Sequence, residues 1–141
     1  MDYHQAFAIS SRGMSLERLR VDVAALNLAN AHTVASPDGA VYRPMRVVAR
    51  TSFAQALDTA GRLHPAPLDV RVEPTLQAPL RVREPGHPMA DAKGFVEYAG
   101  VDAAAEMITL MSAMRAYEAN VAAMSTARAM SLKALDIGGN A

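Results

Sequence analysis

The sequence predicts an α+β fold: long N- and C-terminal helices packed as a coiled-coil-like pair, with a small β-rich, proline-containing middle segment. Three observations lead there. All eight prolines lie between Pro37 and Pro88, and a proline inside a helix costs about 3 kcal/mol, so the flanks are the segments free to be helical. Both flanks repeat apolar residues every seven positions, the period of a helix seam. The middle alternates apolar and polar residues over short runs, the period of a half-buried strand. The expected division is one helical domain built from residues 1–33 and 101–141, and a β-rich middle segment, 34–100, with turns and loops.

The first helix is expected over roughly residues 3–31. Ile9, Leu16, Val23 and Asn30 are seven apart, as are Leu19 and Leu26 at an offset of three, which matches the a and d positions of a seam. Arg12 interrupts the d series, and Met14, Val21 and Leu28 widen the apolar surface. A broad apolar surface packs against more than one neighbour. Asn27 and Asn30 stand out, because an asparagine amide competes with the helix for backbone hydrogen bonds. Two readings stay open: Asn30 ends the helix in a left-handed conformation, or the amides sit in the seam and fix register and partner.

The middle segment opens on Ser36-Pro37-Asp38-Gly39, whose residue types suit a β-turn position by position. Strands are expected over Met45–Phe53, with Val48 breaking the alternation, over Leu68–Glu73, over Leu80–Arg83 and over Phe95–Tyr98. Between the first two, the sequence reads as a loop or a short helix. The last helix is expected over roughly 102–136, with Asp102 as its N-cap and Gly138-Gly139 as its stop. Met107, Met114, Val121 and Leu135 are spaced in sevens with Arg128 in the series. Leu110, Tyr117 and Met124 fill the companion row, and Ile108, Met111 and Met130 widen it. A helix pair closed by a small sheet is marginal alone, so the ends of the monomer are expected to order on assembly.

Composition excludes several functions. Fourteen basic residues balance fourteen acidic ones, and no segment has the basic excess that nucleic acid attracts. No cysteine is present, so disulfides and thiolate metal sites are ruled out. The start lacks the basic and apolar regions of a cleaved signal peptide, and no apolar run approaches the roughly 20 residues that span a bilayer. His4, His32, His64 and His87 have no metal-ligand spacing. No nucleophile elbow, P-loop or dinucleotide motif occurs. Asp102 and Glu106 form a carboxylate pair at helical spacing, explained more simply by the helix dipole. No cofactor, metal, catalytic residue or small-molecule substrate is expected.

The segment Ala24–Thr33, AALNLANAHT, resembles the N-terminal signature of bacterial flagellar axial proteins. Residues Ser36–Val48, Glu84–Asp102 and Glu106–Gly138 are similar to basal-body rod proteins of the proximal type, in the right order along most of the chain. The family commonly has a proline-asparagine pair where this chain has Ala99-Gly100, which implies a looser turn leaning on Asp102. The resemblance implies a non-enzymatic structural subunit of the rod crossing the periplasm, exported by the flagellar type III apparatus without a cleaved signal. It implies partners among other rod proteins, copies of itself and neighbouring basal-body components, with no membrane insertion. The expected assembly interface is the seam: Ile9, Leu16, Leu19, Val23, Leu26, Asn27, Asn30, Met107, Leu110, Met114, Tyr117, Val121 and Met124. The alternatives are another axial protein, of distal rod or hook, and a cytoplasmic coiled-coil export adaptor.

Overall fold

The computed structural model describes residues 3–36, 39–51 and 68–139. In chain order these form α1 (Tyr3–Ala29), β1 (Met45–Arg50), β2 (Asp69–Pro74), β3 (Leu80–Arg83), β4 (Phe95–Tyr98) and α2 (Ala103–Gly139). The α+β class and every expected strand are present; β1 is Met45–Arg50, and Ser52 and Phe53 of the expected run lie outside the described residues. The loop or short helix expected after β1 lies outside the described residues. Two compact units result: Met1–Ala25 with Ala104–Ala141, and Leu26–Ala103.

The first unit is an antiparallel helix pair. Gly13 stands against Asn120, and Arg18, Val21 and Asp22 stand against Met114, Tyr117 and Glu118, so one numbering rises as the other falls. A mid-helix glycine costs about 1 kcal/mol relative to alanine, and the structure shows what it provides. A Cβ on Gly13 would lie 2.6 Å from the Asn120 side-chain oxygen, closer than van der Waals contact allows. Asn120 cannot swing away freely, because its Nδ2 donates to the Ala116 carbonyl at 2.8 Å. Asp102 takes the N-cap position of α2, and Glu106 lies in its first turn, where negative charge suits the helix dipole.

The residues buried on these helices are mostly small or polar. Ser10, Glu17, Val23 and Ala24 are buried on α1, and Ala113 and Ala127 on α2. Glu17 is the costly member. One of its carboxylate oxygens lies 3.4 Å from Arg20 Nη1, while the other is buried with no hydrogen-bond partner. A buried polar atom without a partner forfeits its hydration and gains nothing in return.

The second unit holds two antiparallel ribbons, β1–β2 and β3–β4. In the first, Val47 faces Val72 and Ala49 faces Val70, while the opposite face carries Arg46, Arg50 and Arg71 against Glu73 and Asp69 at 2.9–4.0 Å. In the second, Val82 pairs with Val96, which is fully buried. Residues 33–35 run along the free edge of β4: Val34 bridges Tyr98, and the Ala35 and Ala99 amides donate to Glu97 and Thr33 carbonyls. The edge is therefore closed to other strands.

Turn chemistry joins the strands. The Gly39 amide donates to the Ser36 carbonyl at 2.8 Å, with Gly39 at φ +80°, a conformation that favours glycine. Between β3 and β4, Asp91 Oδ1 accepts the Lys93 and Phe95 amides at 2.8 and 2.9 Å, and Oδ2 accepts Arg81 at 2.9 Å. These bonds, the Phe95 amide foremost, lower the Asp91 pKa. Tyr98 donates its hydroxyl to Glu84 at 2.9 Å, which raises the tyrosine pKa. The turn before α2 is tighter than its residues imply. Ala99 is buried, the Val101 amide bonds the Ala99 carbonyl at 2.7 Å, and a Cβ on Gly100 would strike the Ala78 carbonyl.

Two substitutions of opposite sign test the packing of the helix pair. Glu17→Met is expected to raise the unfolding free energy by about 1–3 kcal/mol by removing the unpartnered oxygen. Gly13→Ala is expected to lower it, despite a propensity gain of about 1 kcal/mol. Urea titration of the full chain, followed by far-ultraviolet circular dichroism, measures both; reversed signs refute the packing account.

Candidate functional site

The chemistry this chain offers is that of surfaces. Helices that meet through Gly13 and small residues approach closely, and their long apolar side chains then have no room between them. Ile9 on α1 is 56% exposed, and Met107, Met111, Met114, Tyr117 and Val121 on α2 are exposed too. Leu16, Leu19, Leu110 and Met124 are half-buried, Val23 is buried, and Leu26 is exposed. Inward placement falls mainly on the neighbours of the heptad rows: Ser10, Glu17 and Ala24 are buried beside Ile9, Leu16 and Val23, and of those three only Val23 is buried. On α2 the buried neighbours are Ala113 and Ala127, one position before Met114 and Arg128. One residue is a rotation of about 100° on a helix, enough to turn a row from the inside to the flank.

The asparagines belong to the second unit, and their bonds answer the question they raise. Asn27 is fully buried. Its Nδ2 donates to the Met45 carbonyl at 2.8 Å, while its Oδ1 accepts the Met45 amide at 2.9 Å and the Tyr42 hydroxyl at 2.8 Å. The side-chain amide therefore pairs with Met45 as a strand's peptide group would, and ties the last turn of α1 to the first residue of β1. Asn30 serves the helix end. Its Nδ2 donates to the Leu26 carbonyl at 2.9 Å and its Oδ1 accepts the Thr33 hydroxyl at 3.2 Å. No described residue other than glycine has a positive φ, so the left-handed reading of Asn30 does not hold; its side chain instead adds a second bond to the Leu26 carbonyl, which also accepts the Asn30 amide at 3.2 Å.

The second unit also has a cleft of about 530 Å³ between residues 39–43 and 75–79, closed by Glu97 and Gly100. Its charged groups are Arg43 and Glu97, and Glu97 already pairs with Arg81 at 3.2 Å, so no acid–base pair converges there. Among the described residues no three His, Cys, Asp or Glu side chains are grouped to hold a metal, and no helix is long and apolar enough to cross a membrane. His87 accepts the Met89 amide on Nδ1 at 3.1 Å, a turn bond; His64 lies outside the described residues.

Comparison with known proteins decides the family. Residues 92–137, covering β4 and most of α2, match the model of the flagellar basal body rod FlgEFG protein C-terminal region. The flagellar basal-body rod protein FlgC of Escherichia coli O6:H1 is 42% identical over 135 residues, covering 94% of this chain and 95% of that protein. The FlgC of Salmonella typhimurium is 40% identical over the same shares, and that of Borreliella burgdorferi is 34% identical, covering 97% and 98%. The chain belongs to the FlgC family of flagellar basal-body rod proteins.

Within this FlgC chain, residues 24–33 contain the Asn27 tie. Sequence reasoning singled out both asparagines and left a helix end and a register-fixing seam open for them; it did not point to Tyr42, Met45 or Gly13. Gly13 left a signal, since glycine without a turn inside a long helix marks a close approach. Asn27→Leu is expected to strand the Met45 amide and carbonyl and the Tyr42 hydroxyl, costing about 2–4 kcal/mol. Amide exchange at Met45 then speeds by about a hundredfold, while Asn30→Leu leaves that amide protected. Equal protection of Met45 in both variants contradicts the tie.

Proposed function

We propose that this FlgC chain is a non-enzymatic structural subunit of the proximal rod, assembling with copies of itself and other rod proteins into the shaft that transmits torque. The observation that carries this is the outward placement of the large apolar rows. Ile9, Met107, Met114, Tyr117 and Val121 are exposed in the isolated chain, and aligned apolar side chains of this size mark a surface built to be covered. The expected interface residues Leu16, Leu19, Leu26, Leu110 and Met124 flank those rows. Val23 is buried within the helix pair, and Asn27 ties the last turn of α1 to β1.

The mechanism is mechanical. Interfaces packed like protein interiors are nearly incompressible, so helices covered by neighbours on several sides turn as one body. A methionine-rich face suits contacts with non-identical partners, because its side chains adapt to different shapes. Export proceeds by the flagellar type III apparatus without a cleaved signal. Its site of action is the rod across the periplasm, with no cofactor, membrane insertion or nucleic acid involved.

Substitution at an exposed position separates assembly from folding. Val121→Asp is expected to change the stability of the purified chain by no more than about 0.5 kcal/mol, yet to remove it from isolated basal bodies and abolish swimming. Leu19→Asp, at a half-buried site, is expected to do both kinds of damage. Normal swimming by the Val121→Asp strain overturns the interface.

A further inference from the structure

On the helix pair, Arg18, Val21 and Asp22 of α1 face Met114, Tyr117 and Glu118 of α2 across a groove of about 340 Å³. Its floor is apolar and its α1 rim carries one cation and one anion, four residues apart. Near its C-terminal end α2 presents Leu132 and Leu135, 53% and 68% exposed, flanked by Lys133 and Asp136. The register set by Gly13 and Asn120 brings the described part of α1 out opposite Met130, so these leucines project beyond it. Among the described residues, Arg18, Asp22, Lys133 and Asp136 make no ion pair.

We infer that the groove receives the C-terminal turns of α2 from a second copy of this chain, with Leu132 and Leu135 entering between the helices. The inference rests on the reading of the chain as a self-assembling rod subunit and names one contact of that assembly. Charge order supports it. With two helix pairs side by side and parallel, α2 of one copy runs antiparallel to α1 of the other. Lys133 then meets Asp22 as Asp136 meets Arg18, since spacings of three and four residues differ by about 1.5 Å of rise. On an α-helix, Lys133 and Asp136 fall on one flank of the leucine pair, the flank turned to the α1 rim. The opposite orientation sets Lys133 against Arg18 and Asp136 against Asp22, two like-charge contacts.

The contact is heterologous: knob and groove are different surfaces of one chain, so it cannot close on a two-fold axis and adds copies in one direction. Lys133 lies roughly 22 residues of α2 beyond the level of Asp22, which staggers successive copies by roughly 30 Å at 1.5 Å per residue.

The absence of cysteine makes the test direct. Basal bodies isolated from cells expressing Val21→Cys with Leu135→Cys in one chain, then oxidised, are expected to yield a ladder of disulfide-linked copies. The two single variants co-expressed yield one linked pair, and either alone yields none. Asp22→Lys is expected to lower incorporation about tenfold, and Lys133→Asp in the same chain to restore it to within about twofold. Basal bodies that contain the double-cysteine chain without a ladder, a Val21→Cys chain linked to itself, or no charge rescue each overturn this contact. None of these touches the rod reading, which fails instead if the unmodified chain is absent from basal bodies.

Discussion

The close approach of α1 to α2 at Gly13 and Asn120 is the constraint from which the chain's outer surface follows. Two helices that meet through glycine, alanine and serine bury little apolar area between them, and their larger side chains must point elsewhere. Here they point outward, and Ile9, Met107, Met111, Met114 and Val121 lie exposed along the pair. Stability within the chain and affinity between chains therefore compete for the same side chains. A pair that turned its methionines inward would be a better isolated protein and a poorer building block. Glu17 points the same way, since an unpartnered buried oxygen weakens the pair from inside.

The second unit solves a different problem, how to leave a helix end and enter a ribbon with the backbone groups of both bonded. Backbone groups at a helix end need partners, and so does the first residue of a ribbon edge. Asn27 and Asn30 supply these in sequence. Asn30 bonds the Leu26 carbonyl with both its amide and its side chain and collects Thr33, whose carbonyl in turn accepts the Ala99 amide. Asn27 takes both hydrogen-bonding groups of Met45. Leucine at either position would keep the helix and lose the connection, so poor helix formers are the right residues in that last turn.

Much of this was legible in the sequence, and the failures share a cause. β3 and β4 match their expected bounds because the alternation of Leu80 to Arg83 and the β-branched and aromatic content of Phe95 to Tyr98 depend on local pattern alone. The confinement of proline marked the helices. The heptad spacing gives the period of the apolar rows, but one set of rows was asked to serve both the helix pair and the contacts with neighbours, and spacing alone does not say which rows turn inward. One set suffices for a protein that must bury its own core and not for one whose core is completed by neighbours. The Asn27 tie was illegible for another reason: its partners Tyr42 and Met45 lie 15 and 18 residues away, across an irregular stretch with no period to read. Likewise the Ala99-Gly100 turn reads as loose until the Ala78 carbonyl is seen against it.

Charge has a different part in the assembly from apolar area. The chain is neutral overall, so long-range repulsion does not oppose stacking of many copies. Exposed ion pairs add at most about 1 kcal/mol each, too little to hold a shaft against torque. What they can do is choose among apolar contacts of similar quality, because a like-charge pairing penalises the wrong register as an opposite pairing favours the right one. An apolar stripe repeating every seven residues is ambiguous by nature, since a shift of one heptad presents nearly the same surface. Four charges without an ion-pair partner among the described residues, placed beside a groove at one end and a knob at the other, remove that ambiguity without requiring any polar group to be buried.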